Sequence, residues 1–117
     1  MLASLEAGER LKLPHIQTIA DGIAVQQPGA LNFDFVRRYD VDVLTVSDDQ
    51  IFMGMVRMLR DMRLVVEPAA AAAPAALLFH EPLQGKGLKM CCIISGGNIS
   101  QAMLEQVVKG NLEGYGR

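Results

Sequence analysis

Tryptophan is absent, and phenylalanine and tyrosine supply the whole aromatic content, only 5% of a 117-residue chain. With so few stacking platforms and a net charge of −2 instead of a basic excess, nucleic acid is not an expected partner. No apolar run approaches the roughly 18 residues that a bilayer span requires. The longest candidate, Ala69 to Phe79, is short, alanine-rich and interrupted by Pro74. The first residues, Met1-Leu2-Ala3-Ser4-Leu5-Glu6, place no basic patch ahead of an apolar core, so a secretory signal is not expected. The expected address is cytoplasmic, away from membranes. The only cysteines, Cys91 and Cys92, are neighbours in sequence. On a strand they would point to opposite faces and an internal disulfide would be strained, so two buried, reduced thiols are expected. His15 and His80 have no companions at ligand spacing, and no metal site is expected.

What is present is a globular composition. Hydrophobic residues make up 50% and charged residues 21%, the balance of a folded chain and not of a disordered one. The length suits a single domain over residues 1–117. A mean hydropathy of +0.22 is high for so small a domain. It implies apolar surface that expects cover, from another copy or from a further part of a larger fold.

The local patterns alternate between strand and helix. An amphipathic segment ends near Gly8. Asp21-Gly22 reads as a turn within an apolar stretch, and Gln26 to Gly29 as a loop. Asn32 is placed to cap a short helix through Tyr39. Val41 to Val46, rich in β-branched residues, predicts a strand. Ser47 and Gln50 have capping-box spacing, with Asp48 and Asp49 at the positive helix end. Ile51, Phe52, Met55, Val56, Leu59 and Met62 then recur at helical intervals, while Arg57, Arg60 and Arg63 lie elsewhere. Pro68 opens a second helix, which Pro74 should kink or divide. Lys89 to Ile94 predicts a strand buried on both faces. Ser95-Gly96-Gly97-Asn98 follows it, then a helix from about Ser100 to Val108. The tail from Asn111 to Arg117 is expected to fray. Strands followed by helices define an α/β class, but two strands make a thin sheet.

Five segments in order resemble the threonine dehydratases and serine racemases, members of the fold-type II pyridoxal-phosphate enzymes. They are Thr18-Ile19-Ala20-Asp21-Gly22-Ile23-Ala24-Val25, Pro28-Gly29, Val46-Ser47-Asp48-Asp49-Gln50-Ile51, Leu64-Val65-Val66-Glu67-Pro68-Ala69 and Ile94-Ser95-Gly96-Gly97-Asn98-Ile99. The resemblance extends upstream to Leu5, Ala7-Gly8 and Leu13. It implies a partial three-layer α/β sandwich, equivalent to the C-terminal half of the family's large domain. It also implies pyridoxal phosphate as the family's cofactor and β-elimination from hydroxy amino acids, a lyase reaction of amino-acid metabolism.

By the same resemblance, Ser95 stands where the family's serine hydrogen-bonds the cofactor's pyridine nitrogen. A neutral hydroxyl there leaves the ring a milder electron sink than a carboxylate would. Gly96 and Gly97 allow a close backbone approach. Asp21 and Gly22 match cofactor-lining backbone, and Glu67 a glutamate beyond the ring. Asn98 matches an asparagine that helps bind nucleotide in racemase-like members. Each has a plainer reading. The Ser95 turn can be a strand-to-helix connection, Asp21-Gly22 an ordinary turn, and Glu67 a carboxylate favoured by a helix dipole. The seven methionines read as core gap-fillers.

The pattern also departs from the family. Asp40-Val41-Asp42 reorders its Val-Asp-Asp, alanines replace a glycine within Ala69 to Ala73, and Pro74 intrudes. More consequential is the lysine. Pyridoxal chemistry needs one to form the Schiff base and move the α-proton, and the family sets it in a Ser-x-Lys-x-Arg-like motif. The four lysines here, Lys12, Lys86, Lys89 and Lys109, have no such neighbours. The phosphate-cradling glycine loop has no counterpart either. No catalytic residue is therefore assigned, and the chain is expected neither to hold pyridoxal phosphate alone nor to turn over. It is expected to be a truncated fragment that either self-associates as a homo-oligomer or is completed by a separate N-terminal half. A small-ligand binding module around Ser95 and Gly22 is a further reading.

Overall fold

The computed structural model describes residues 1–85 and 87–111. The expected fraying therefore falls, apart from Asn111, outside the described residues. The chain divides into two compact units, residues 1–18 with 24–45 and residues 19–23 with 46–117.

In the first unit, α1 (Leu2–Ala7) ends on Gly8, whose φ of 73° is the left-handed conformation that glycine adopts without penalty. Ser4 is buried, and its Oγ accepts the Leu11 amide at 3.1 Å. Leu13 donates its amide to the Gln26 carbonyl at 2.9 Å, closing the loop between them. The second helix, α2 (Ala30–Arg38), packs on α1 and buries Phe33. It begins before the expected Asn32 cap. Gly29 is the N-cap, and the Asn32 side chain folds back so that its Oδ1 would lie 2.7 Å from a β-carbon at Gly29.

The second unit holds the hydrophobic core. Helix α3 (Asp48–Met62) starts as its sequence dictates, with both arms of the Ser47/Gln50 capping box formed. It buries Ile51, Phe52, Met55, Val56 and Met58, leaving Arg57, Arg60 and Arg63 exposed. Met62, expected on the buried face, is 60% exposed at the helix end. Helix α4 (Pro68–Phe79) packs along α3. Ala71 and Ala75 are fully buried at the crossing, and a β-carbon on Gly54 would meet the Ala71 carbonyl at 3.2 Å. Small residues on both helices thus bring the backbones together. Helix α5 (Gln101–Lys109) is capped by Ser100, whose Oγ accepts the Met103 amide, and buries Met103 and Val107 against the same core.

Pro74 and the predicted strands also depart from expectation. Pro74 does not divide α4, which runs unbroken from Pro68 to Phe79. Only the Ala70 carbonyl loses its intrahelical donor there, and the packing against α3 holds the turns on either side. Among the described residues no strand forms. Val41 to Val46 and Lys89 to Ile94 lie outside regular structure. Strand identity is conferred by a ladder partner, and neither segment has one. The burial expected of the second segment is lost with it: Ile93 is 80% exposed, and Cys91 is an exposed free thiol with Cys92 half-buried. The expected α/β class is therefore not realised among the described residues, which form helices joined by segments outside regular structure.

No helix among the described residues is long and apolar enough to cross a membrane.

Candidate functional site

The site grows from the junction between residues 64–67 and the turn before α5. Met58 turns the chain out of α3 by accepting the Leu64 amide, so Val65 and Val66 run back extended toward α4. Val66 is buried, which fixes the direction of the residue after it. Glu67, the N-cap of α4, makes no cap bond to its own helix. Instead its amide donates to the Gly96 carbonyl at 3.2 Å, and its Oε2 accepts the Asn98 amide, also at 3.2 Å.

This closeness explains the two glycines. A β-carbon on Gly96 would lie 2.6 Å from Glu67 Oε2 and 2.8 Å from Oε1. One on Gly97 would lie 2.9 Å from the Val65 carbonyl oxygen. The turn is pressed against the chain's own Val65–Glu67 segment: at Gly97 a side chain would meet the Val65 backbone, and at Gly96 it would push the Glu67 carboxylate aside.

The other expected turn reaches the same glutamate. Asp21–Ile23 forms one 3-10 turn packed on α4, with the Gly22 amide donating to Asp21 Oδ1 at 2.8 Å. A β-carbon on Gly22 would stand 3.0 Å from the Ala69 β-carbon and 3.6 Å from Glu67 Oε1. The turn is anchored from α3, where Asp48 Oδ2 accepts the Ile19 amide at 3.1 Å. Asp21, Gly22, Glu67, Gly96 and Gly97 are therefore gathered in one place. Ser95 sits at the edge of the turn with its side chain exposed. Beside the junction opens a cleft of about 130 Å³, lined by Asp21, Asn98 and Ser100 with Ile19, Pro68, Ile99 and Met103.

Three participants were not legible as such from the sequence. Asp48 signalled only a helix-dipole carboxylate, while the Asn98 backbone amide and the Val65 carbonyl carry no side-chain signal at all. The Glu67-Pro68 pair did mark a helix start, but its carboxylate serves another segment.

The chemistry of these residues bears on whether they could hold a phosphate-bearing cofactor. The cleft offers an aspartate carboxylate and neutral polar groups, with no basic side chain in its lining. The faces of Gly96 and Gly97 are filled by Glu67 and Val65. An anionic phosphate needs cationic groups or converging amides. The residues do not by themselves fit pyridoxal phosphate.

The chain belongs to a family of pyridoxal-phosphate dependent enzymes, whose members match it over residues 1–96. Among curated relatives, the L-threonine ammonia-lyase of Thermotoga maritima is 36% identical over 117 residues, covering 100% of this chain and 29% of that protein. The catabolic L-threonine dehydratase of Escherichia coli K12 is 36% identical over 110 residues, covering 92% of this chain and 33% of that one. Among solved structures, maize serine racemase superposes with a TM-score of 0.78 at 33% identity, over 94% of this chain and 36% of that chain. The serine racemase of Dictyostelium discoideum gives 0.71 at 34% identity, over 84% and 31%. The chain thus spans about a third of the length of the relatives it matches.

Proposed function

We propose that this chain forms one wall of the cofactor cleft of a fold-type II threonine or serine dehydratase, and that it is catalytically silent alone. Its segments 41–46 and 89–94 would then be strands of a three-layer α/β sandwich completed by a separate half. That half would bring the Schiff-base lysine and the phosphate loop. Together they would deaminate serine or threonine, the water lost on elimination being taken up again when the resulting imine is hydrolysed to a 2-oxo acid and ammonia.

The observation that carries this reading is the family match over residues 1–96, made by a sequence whose four lysines all lie outside a Schiff-base motif. The geometry supports it through the convergence of the Asp21-Gly22 and Ser95–Asn98 turns on Glu67. In the completed cleft Ser95 would face the pyridine nitrogen. Its single neutral hydrogen bond, worth roughly 1 kcal/mol net, is too little to retain the cofactor unaided.

The test is a titration of the purified chain with pyridoxal phosphate, followed by visible absorbance and by ammonia release from L-threonine. The expected result is no internal-aldimine band and no ammonia. Both should appear on co-expression with a family N-terminal half that carries the lysine. A yellow, ammonia-releasing preparation of this polypeptide alone would refute the proposal.

A further inference from the structure

Glu67 was expected to lie beyond a cofactor ring, yet its amide and its carboxylate both bond to the turn before α5. Its amide is bonded to the Gly96 carbonyl and its carboxylate to the Asn98 amide, so residues 96 and 98 are held from one position at two points. The carboxylate also lies flat against Gly96, with both oxygens and the carboxyl carbon 2.6–2.8 Å from where a β-carbon would be. On its far side the same group approaches the Gly22 turn.

We propose that Glu67 is a positioning residue, a brace that sets the Gly96–Asn98 turn, and through it the hydroxyl of Ser95, relative to α4 and the Asp21–Ile23 turn. Three features converge on that role. Short polar N-cap side chains bond to their own helix, whereas the longer Glu67 side chain makes no such bond and reaches another segment. The bond it makes instead crosses 31 residues of sequence, so it fixes tertiary placement where a cap would fix local conformation. The glycine at 96 is required by the brace itself, because any side chain there would displace the carboxylate. Glu67 and Gly96 are thus a matched pair, and Gly97 extends the contact to the Val65 carbonyl. The brace is a property of this chain's own fold and stands whether or not the cleft receives a cofactor.

Residue-resolved amide hydrogen exchange on the full chain tests it. Glu67→Ala is expected to speed exchange at Asn98 several-fold, the loss of one charge-assisted bond at an exposed site. The amides of Met55 and Val56 in the α3 core should be unchanged. Glu67→Gln keeps a side-chain carbonyl oxygen at the same reach and should restore most of the protection, which a merely bulk-filling role would not require. Gly96→Ala alone should reproduce the loss at Asn98, whereas adding it to Glu67→Ala should change little further. If Glu67→Ala does not fold, Glu67→Asp replaces it. Its carboxylate, one methylene short, should lose the Asn98 bond selectively.

Unchanged exchange at Asn98 in the variant that folds would overturn the brace. So would loss of protection spread equally through α3, or a Gly96→Ala effect of the same size in both backgrounds.

Discussion

At the scale of single residues, the chain spends its polar side chains on holding turns. Ser4 accepts the Leu11 amide, Asp48 the Ile19 amide, Glu67 the Asn98 amide and Ser100 the Met103 amide. The bonds to Leu11, Ile19 and Met103 are partly buried and satisfy backbone donors whose loss would be expensive, while the bond to Asn98 is exposed and sets position. Ser47 is the clearest case, because its hydroxyl and the Gln50 side chain serve each other's amides. Ser47→Ala is expected to lower stability by about 1 kcal/mol, measured by urea unfolding followed by far-ultraviolet circular dichroism. Ser47→Asp keeps an acceptor at the positive helix end and should remain close to the parent chain.

At the scale of elements, the pair α3 and α4 decides the fold of the second unit, and its packing tolerates little added volume. Ala71 and Ala75 are fully buried where the backbone of α4 nears Gly54. Ala71→Leu is expected to destabilise by about 1–3 kcal/mol through overpacking, whereas Ala73→Leu, on the exposed side, should change unfolding little; chemical denaturation of both separates the effects. The legibility of the sequence divides at this same scale. Helix α3 could be read because its signals are local: a capping box at Ser47 and Gln50, then an apolar stripe at intervals of three and four. The start of α2 was displaced because Gly29, with no side chain to signal a cap, opens the helix and leaves Asn32 inside it. Pro74 obeys a local rule that tertiary packing overrides. The expected strands do not form among the described residues, since β-branched composition states a preference and only a neighbouring strand realises it. For the candidate site, the glycines and Glu67 were visible as residues, but their mutual contact crosses about 30 positions and involves backbone atoms that sequence does not distinguish.

At the scale of the whole molecule, the high mean hydropathy has a physical location. Leu88, Met90 and Ile93 are exposed along the extended segment before the Ser95 turn, as are Val41 and Leu44 along the other. Unpaired extended backbone flanked by apolar side chains invites pairing with another chain. We propose that the isolated polypeptide associates with itself through such segments. Size-exclusion chromatography with light scattering is expected to show a dimer or larger species, and a monomer at high concentration would contradict it. Co-expression with a complementary half should replace the self-associated species by a defined mixed complex.

Helix α4 carries no polar side chain from Pro68 to Phe79, and Ala73, Leu78 and Phe79 face solvent. Attraction between such surfaces is entropic near room temperature and strengthens with heat, opposite to the behaviour of a contact made by hydrogen bonds. A preparation that is clear in the cold should therefore turn cloudy on gentle warming, below its unfolding transition, and clear again when chilled.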